Sequence, residues 1–84
     1  MQVVNFVGPD RYGKGMIEIL VLIQNDDDIS TKIAELQQVV ENIKVEWDYV
    51  SYDTRSIVME ACSRVLSDME YQLIYYNPKN LIEI

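Results

Sequence analysis

The side chains able to do chemistry are few. Cys62 is the only cysteine among 84 residues, and there is no histidine. A cysteine nucleophile needs a neighbouring base to hold it as thiolate, and the commonest such base is missing. Cys62 also falls on an apolar stripe at helical spacing, with Val58, Val65 and Met69, where a buried inert thiol is expected. Asp26, Asp27 and Asp28 are consecutive carboxylates of the type that hard cations take. They lack the glycine and distal glutamate of a calcium-binding loop, and they precede a helical pattern whose positive end they suit as caps. No metal site is expected. Glu46 and Asp48 stand two apart on an alternating segment and would share one strand face. Solvated carboxylates at that spacing keep ordinary behaviour, so they read as surface charge rather than an acid/base pair. The chain is therefore expected to be non-catalytic and without a cofactor.

One motif remains. Residues 8–15 (GPDRYGKG) follow an apolar strand-like run and fit the pattern G-x-x-x-x-G-K through Gly8, Gly13 and Lys14. Locally, FVGPDRYGKG resembles the phosphate-binding loop that opens nucleoside and nucleotide kinases. That resemblance covers about ten residues and implies backbone N–H groups around phosphate, with Lys14 neutralising charge. Gly15 stands where the magnesium-binding Ser or Thr belongs, and the following segment lacks the helical periodicity that would aim a dipole at the phosphate. Three glycines in eight residues also suit a plain loop between strands, the reading favoured here. Nucleotide binding through Gly8, Gly13 and Lys14 is an alternative.

Composition narrows the field. Fourteen acidic against seven basic residues leave a net charge of −7. The bases (Arg11, Lys14, Lys32, Lys44, Arg55, Arg64, Lys79) are scattered. Phosphate backbones are bound by clustered Lys and Arg, so direct nucleic-acid binding and anionic membranes are not expected. One cysteine permits no internal disulfide, which suits a reducing cytoplasm. The N-terminal residues lack the basic and long apolar regions of a signal peptide. The longest apolar run, residues 19–23, is far short of the roughly 20 needed to cross a bilayer.

Hydrophobic periodicity supplies the elements. Residues 2–7 (QVVNFV) read as a strand, and 16–24 (MIEILVLIQ) as a central strand buried on both faces, with a helix as the competing reading because so short an apolar run does not fix the period. Ile29, Ile33, Leu36, Val40 and Ile43 recur in steps of 4, 3, 4, 3, a helical stripe over 29–43. Residues 45–52 (VEWDYVSY) alternate like a half-buried strand. Asp53 or Thr54 can cap a second helix carrying Val58, Cys62, Val65 and Met69, broadened by Ile57, Ala61 and Leu66. Residues 71–76 (YQLIYY) read as a strand, 77–80 as a turn and 81–84 as a short last strand. The expected fold is α+β, a single domain over 1–84. It is a small two-layer sandwich, with two helices on one face of a mostly antiparallel sheet of four to five strands.

Two features bear on function. Trp47, Tyr49, Tyr52, Tyr71, Tyr75 and Tyr76 gather in the C-terminal half, and such rings are enriched at protein interfaces. Carboxylates occupy most polar positions, and pairs such as Glu46 and Asp48 would space charge at about 6.7 Å along a strand, a sparse imitation of nucleic-acid phosphates. Solubility alone also accounts for such a charge. The expected function is a non-catalytic acidic protein-binding module, cytoplasmic, engaging a basic partner through Glu46, Asp48, Tyr52 and Tyr76. By size and charge it compares with the small inhibitors or adaptors of phages and mobile elements. Those include anti-restriction and anti-CRISPR proteins, which act on basic nucleic-acid-handling proteins. A homodimer or other homo-oligomeric structural or regulatory domain, whose open sheet face pairs with itself, is the other alternative.

Overall fold

The computed structural model describes residues 1–10, 15–24, 29–46 and 53–76, with the backbone alone for 75 and 76. The first two strands, β1 (Gln2–Pro9) and β2 (Met16–Ile23), form an antiparallel hairpin in which Val4 pairs with Val21 and Phe6 with Ile19. Two helices follow, α1 (Ser30–Glu46) and α2 (Thr54–Val65), and then β3 (Tyr71–Tyr76). β3 returns antiparallel to the other side of β2, so the sheet order is β1-β2-β3. The Gln24 N–H donates to the Glu70 carbonyl at 2.6 Å just beyond that ladder.

One core joins the layers. Val4, Ile19, Val21 and Ile23 from the sheet meet Leu36, Val40 and Ile43 from α1 and Ile57, Val58, Ala61 and Cys62 from α2. Both helices therefore cover the same sheet face. β2 is the central strand, as its composition predicts, but only Ile19, Val21 and Ile23 are fully buried, with Ile17 of the same phase half-buried. Its even positions face away from the helices, and Met16 is exposed. The molecule is a slab of 39 × 33 × 18 Å with a radius of gyration of 13.2 Å. That exceeds the roughly 12 Å of a compact chain this long, because two layers make a flat body.

Three strands are described, fewer than the four to five expected. The strand expected over 45–52 begins as helix instead. α1 runs on through Val45 and Glu46, and Val45 is 80% exposed on its last turn. Lys44 lies in that turn, where a cation favours the negative end of the helix dipole. Residues 47–52 and the expected last strand at 81–84 lie outside the described residues, as do the aspartates at 26–28.

α2 starts where a cap is available. Asp53 has extended backbone, and its Oδ1 accepts from the Ser56 N–H at 2.9 Å and from the Ser56 hydroxyl at 3.0 Å. This satisfies a donor that the first turn leaves without a helical partner. The stripe does not extend to Met69, which is 90% exposed. Leu66 closes the core instead. The chain leaves the helix because Ser67 and Glu70 form a reciprocal turn. The Ser67 N–H donates to Glu70 Oε2 at 3.0 Å, and the Glu70 N–H donates to the Ser67 carbonyl at 3.0 Å. Local side-chain bonds of this kind compete with helix continuation.

The same glutamate ties this turn to α1, since Lys32 Nζ lies 2.6 Å from Glu70 Oε1. The bond from Lys32, and then that from the Ser67 N–H, hold the Glu70 carboxyl below its ordinary 4.5. The folded state thus prefers the ionised form. Its contribution to stability is present above about pH 4.5, the unfolded value, and is lost as pH falls through the lower folded value. Melting curves between pH 6 and about 3 should show Tm falling with acid, and falling less in Glu70→Gln. Equal acid slopes for both proteins would remove the linkage.

Candidate functional site

The glycine loop connects two antiparallel strands. The Asp10 N–H donates to the Gly15 carbonyl at 3.0 Å across its neck. Strand β2 begins at Met16, so no helix follows the loop to present its N-terminus to a phosphate. Gly13 and Lys14 lie outside the described residues. Gly8 has a packing reason of its own. It is buried at the end of β1, and a Cβ there would run into the Thr54 hydroxyl and lie 3.3 Å from Thr54 Cβ. Thr54 is itself buried and donates its hydroxyl to the Pro9 carbonyl at 3.3 Å. The glycine lets the first turn of α2 sit against the strand.

Cys62 is fully buried on α2. Burial pushes its thiol up to about 11, so it stays protonated at neutral pH and is a poor nucleophile.

Of the expected partner residues, the structure describes Glu46 and the backbone of Tyr76. Glu46 is exposed at the end of α1, in the helical layer. Asp48 and Tyr52 lie outside the described residues. Position 76 belongs to the sheet, paired in register with Glu18. Of the other C-terminal tyrosines, Tyr71 packs against the core.

The open sheet face that the sequence reading offers for self-association is the outer face of this sheet, and the structure supplies its residues. Strand alternation and register place three rows there: Val3, Leu22 and Gln72; Asn5, Leu20 and Ile74; then Val7 and Glu18, with Pro9 and Met16 beyond. Val3 is 54% and Ile74 40% exposed, with Val7 and Met16 between them in exposure, while Leu20 and Leu22 are half-buried. No family model, curated protein or solved structure matches the chain. The surface has therefore to be read from its own chemistry. Its one described charge is Glu18, whose Oε1 accepts from the Asn5 amide at 2.9 Å. A signal for this face was present in the sequence. Asn5 and Glu18 are the single polar residues inside their two runs, and each sits in the alternation phase opposite to the core.

The helical layer is the reverse. Glu35, Glu41 and Glu46 are exposed on α1, Glu60 is half-buried on α2, and Asp68 is exposed just beyond it. Lys44 pairs with Glu41 at 3.6 Å and Arg64 with Glu60 at 2.7 Å. Such exposed pairs add little stability. Exposed apolar residues away from the sheet, namely Val45, Met59 and Met69, stand on separate elements. Among the described residues, no helix is long and apolar enough to cross a membrane, and no three metal-ligating side chains converge.

Proposed function

We propose that this chain is a non-catalytic protein-binding module whose acidic helical layer meets a basic partner. The observation that carries the reading is the segregation of its surface. Described carboxylates gather on the helices and their turns, while the outer sheet face holds one. The carboxylates of the helices and their flanking turns (Glu35, Glu41, Glu46, Asp53, Glu60, Asp68 and Glu70) outnumber the bases there (Lys32, Lys44, Arg55 and Arg64). A layer of net negative charge attracts an oppositely charged protein over a Debye length and raises its rate of encounter. The absence of histidine and the protonated, buried Cys62 support a role in binding rather than chemistry. A small inhibitor or adaptor of a basic nucleic-acid-handling protein, of the phage or mobile-element kind, fits this layer best.

The test is kinetic. A partner recovered on the tagged chain is measured for association with the purified protein at about 50 and 300 mM salt. Its association rate should fall with salt, and the double variant Glu35→Lys/Glu46→Lys should slow it at low salt and flatten the salt dependence. A recovered partner whose binding is indifferent to both salt and variant would overturn this reading.

A further inference from the structure

We infer that the outer face of the sheet is a homodimer contact, on which a second copy of this chain seats its own outer face. The inference goes beyond the acidic-layer reading and rests on the opposite side of the molecule.

A sheet that carries apolar side chains on both faces is stable when both are covered. The helices cover one. On the other, Val3, Val7, Met16 and Ile74 are exposed beside half-buried Leu20 and Leu22. By register Val3, Leu22, Leu20 and Ile74 are neighbours, with the Asn5–Glu18 pair between them and Val7 and Met16. Apolar side chains grouped on one open face mark an interaction surface.

Charge selects the occupant. A basic partner finds only Glu18 on this face, and that carboxylate already accepts from Asn5. What the face accepts is an apolar, nearly uncharged surface, and its own counterpart in another copy is one. The chain bears a net charge of −7, so two copies repel each other wherever carboxylates meet. Contact through α1 would oppose Glu35, Glu41 and Glu46 to their equivalents. Contact through the outer sheet face brings together the side with the fewest described charges, in the self-complementary manner of a two-fold dimer. Two sheets stack face to face about 10 Å apart, and slabs 18 Å thick would give a helix–sheet–sheet–helix body. Both acidic layers would then point outward, free for other partners.

The area sets the strength. Three strands about 4.8 Å apart and eight residues at about 3.4 Å each span a plane of roughly 14 × 27 Å. This is below the roughly 800 Å² per partner of a standard stable interface. The dimer should therefore exchange with monomer as concentration changes.

Sedimentation equilibrium of the full chain, from about 10 μM to 1 mM, tests this. The wild type should move from 9.8 kDa toward twice that mass, and added salt should strengthen the dimer by screening repulsion. Salt acts in the opposite direction on a basic partner at the helical layer, so the two readings fail separately. Val7→Lys and Ile74→Lys, both at positions already exposed, should each weaken the dimer at least about tenfold. Gln37→Lys, at an exposed position on α1, makes the same change in net charge and should leave the dimer intact. A monomer at every concentration overturns the inference, as does a dimer that ignores Val7→Lys and Ile74→Lys. So does a monomer that these variants destabilise by several degrees, since the face is then covered by the chain itself.

Discussion

Truncating Leu36 to alanine should lower the unfolding free energy by about 2–5 kcal/mol. Leu36 has no solvent exposure at the middle of α1, and it belongs to one core with Val40 and Ile43 of its own helix, Ile19 and Val21 of β2, and Val58 of α2. Removing its isobutyl group loses the transfer free energy of the buried carbons and leaves a cavity where layers meet. The consequence is large because the whole is small. A chain of this length is stabilised by roughly 4–13 kcal/mol, at about 0.05–0.15 kcal/mol per residue. A loss at the upper end would leave a fraction of molecules unfolded at room temperature. In thermal melts the shift should be on the order of ten degrees or more, since 1 kcal/mol moves Tm by about 4–8 °C in domains of this size. The exposed neighbour Glu35→Ala should stay within about 0.5 kcal/mol. A Leu36→Ala protein that melts with the wild type would mean that α1 does not seat this residue in the core.

The second large effect is expected from one methyl group. Gly8→Ala should cost about 1–3 kcal/mol, the usual range for overpacking. The added Cβ meets the Thr54 hydroxyl and comes within 3.3 Å of Thr54 Cβ. Neither atom gives way easily, since Thr54 is buried in the first turn of α2 and its hydroxyl donates to Pro9. A double-mutant cycle separates this from a general intolerance of alanine in β1. Thr54→Ala alone should destabilise by losing its bond to Pro9. In the Thr54→Ala background, however, Gly8→Ala should cost less than in the wild type, with a coupling in the range of about 0.5–3 kcal/mol for residues in contact. Additive costs would show that the two residues do not meet. A nucleotide role for Gly8 would instead leave stability unchanged and alter ligand response.

Much of the architecture followed from periodicity. Ile33, Leu36, Val40 and Ile43 repeat at the pitch of a helix, and a stripe that narrow has one way to be buried. Asp53 before Thr54 announced a cap, and its carboxylate makes that bond. The β-branched runs at 2–7 and 16–24 announced strands. The errors lie where local patterns are short or degenerate. The alternation expected from Val45 onward does not keep Val45 and Glu46 out of a helix already propagating through Lys44, because each added residue contributes a hydrogen bond without a new nucleus. Met69 keeps the helical phase of Cys62, yet Ser67 and Glu70 close a turn before the helix can reach it.

The candidate surfaces divide in the same way. Sequence alone determined the sign and size of the charge, the lack of histidine and the single cysteine, because these depend on composition and not on neighbours. It also determined the side-chain phase of each strand, since successive residues point to opposite faces whatever surrounds them. Only the tertiary structure decided which phase the helices cover. Both phases of residues 16–23 are largely apolar, and Glu18 is the one polar marker of the outward phase, too little by itself to fix burial of Ile19, Val21 and Ile23 over Leu20 and Leu22. The choice depends on pairing. Register sets Val4 and Phe6 beside Val21 and Ile19, and leaves Asn5 opposite Leu20 with its amide on Glu18, at a face where two polar groups can keep each other and water. Gly8 belongs with this second class. Its small size is visible in the sequence, but its reason is Thr54, which stands 46 residues later and meets it only when α2 packs on β1.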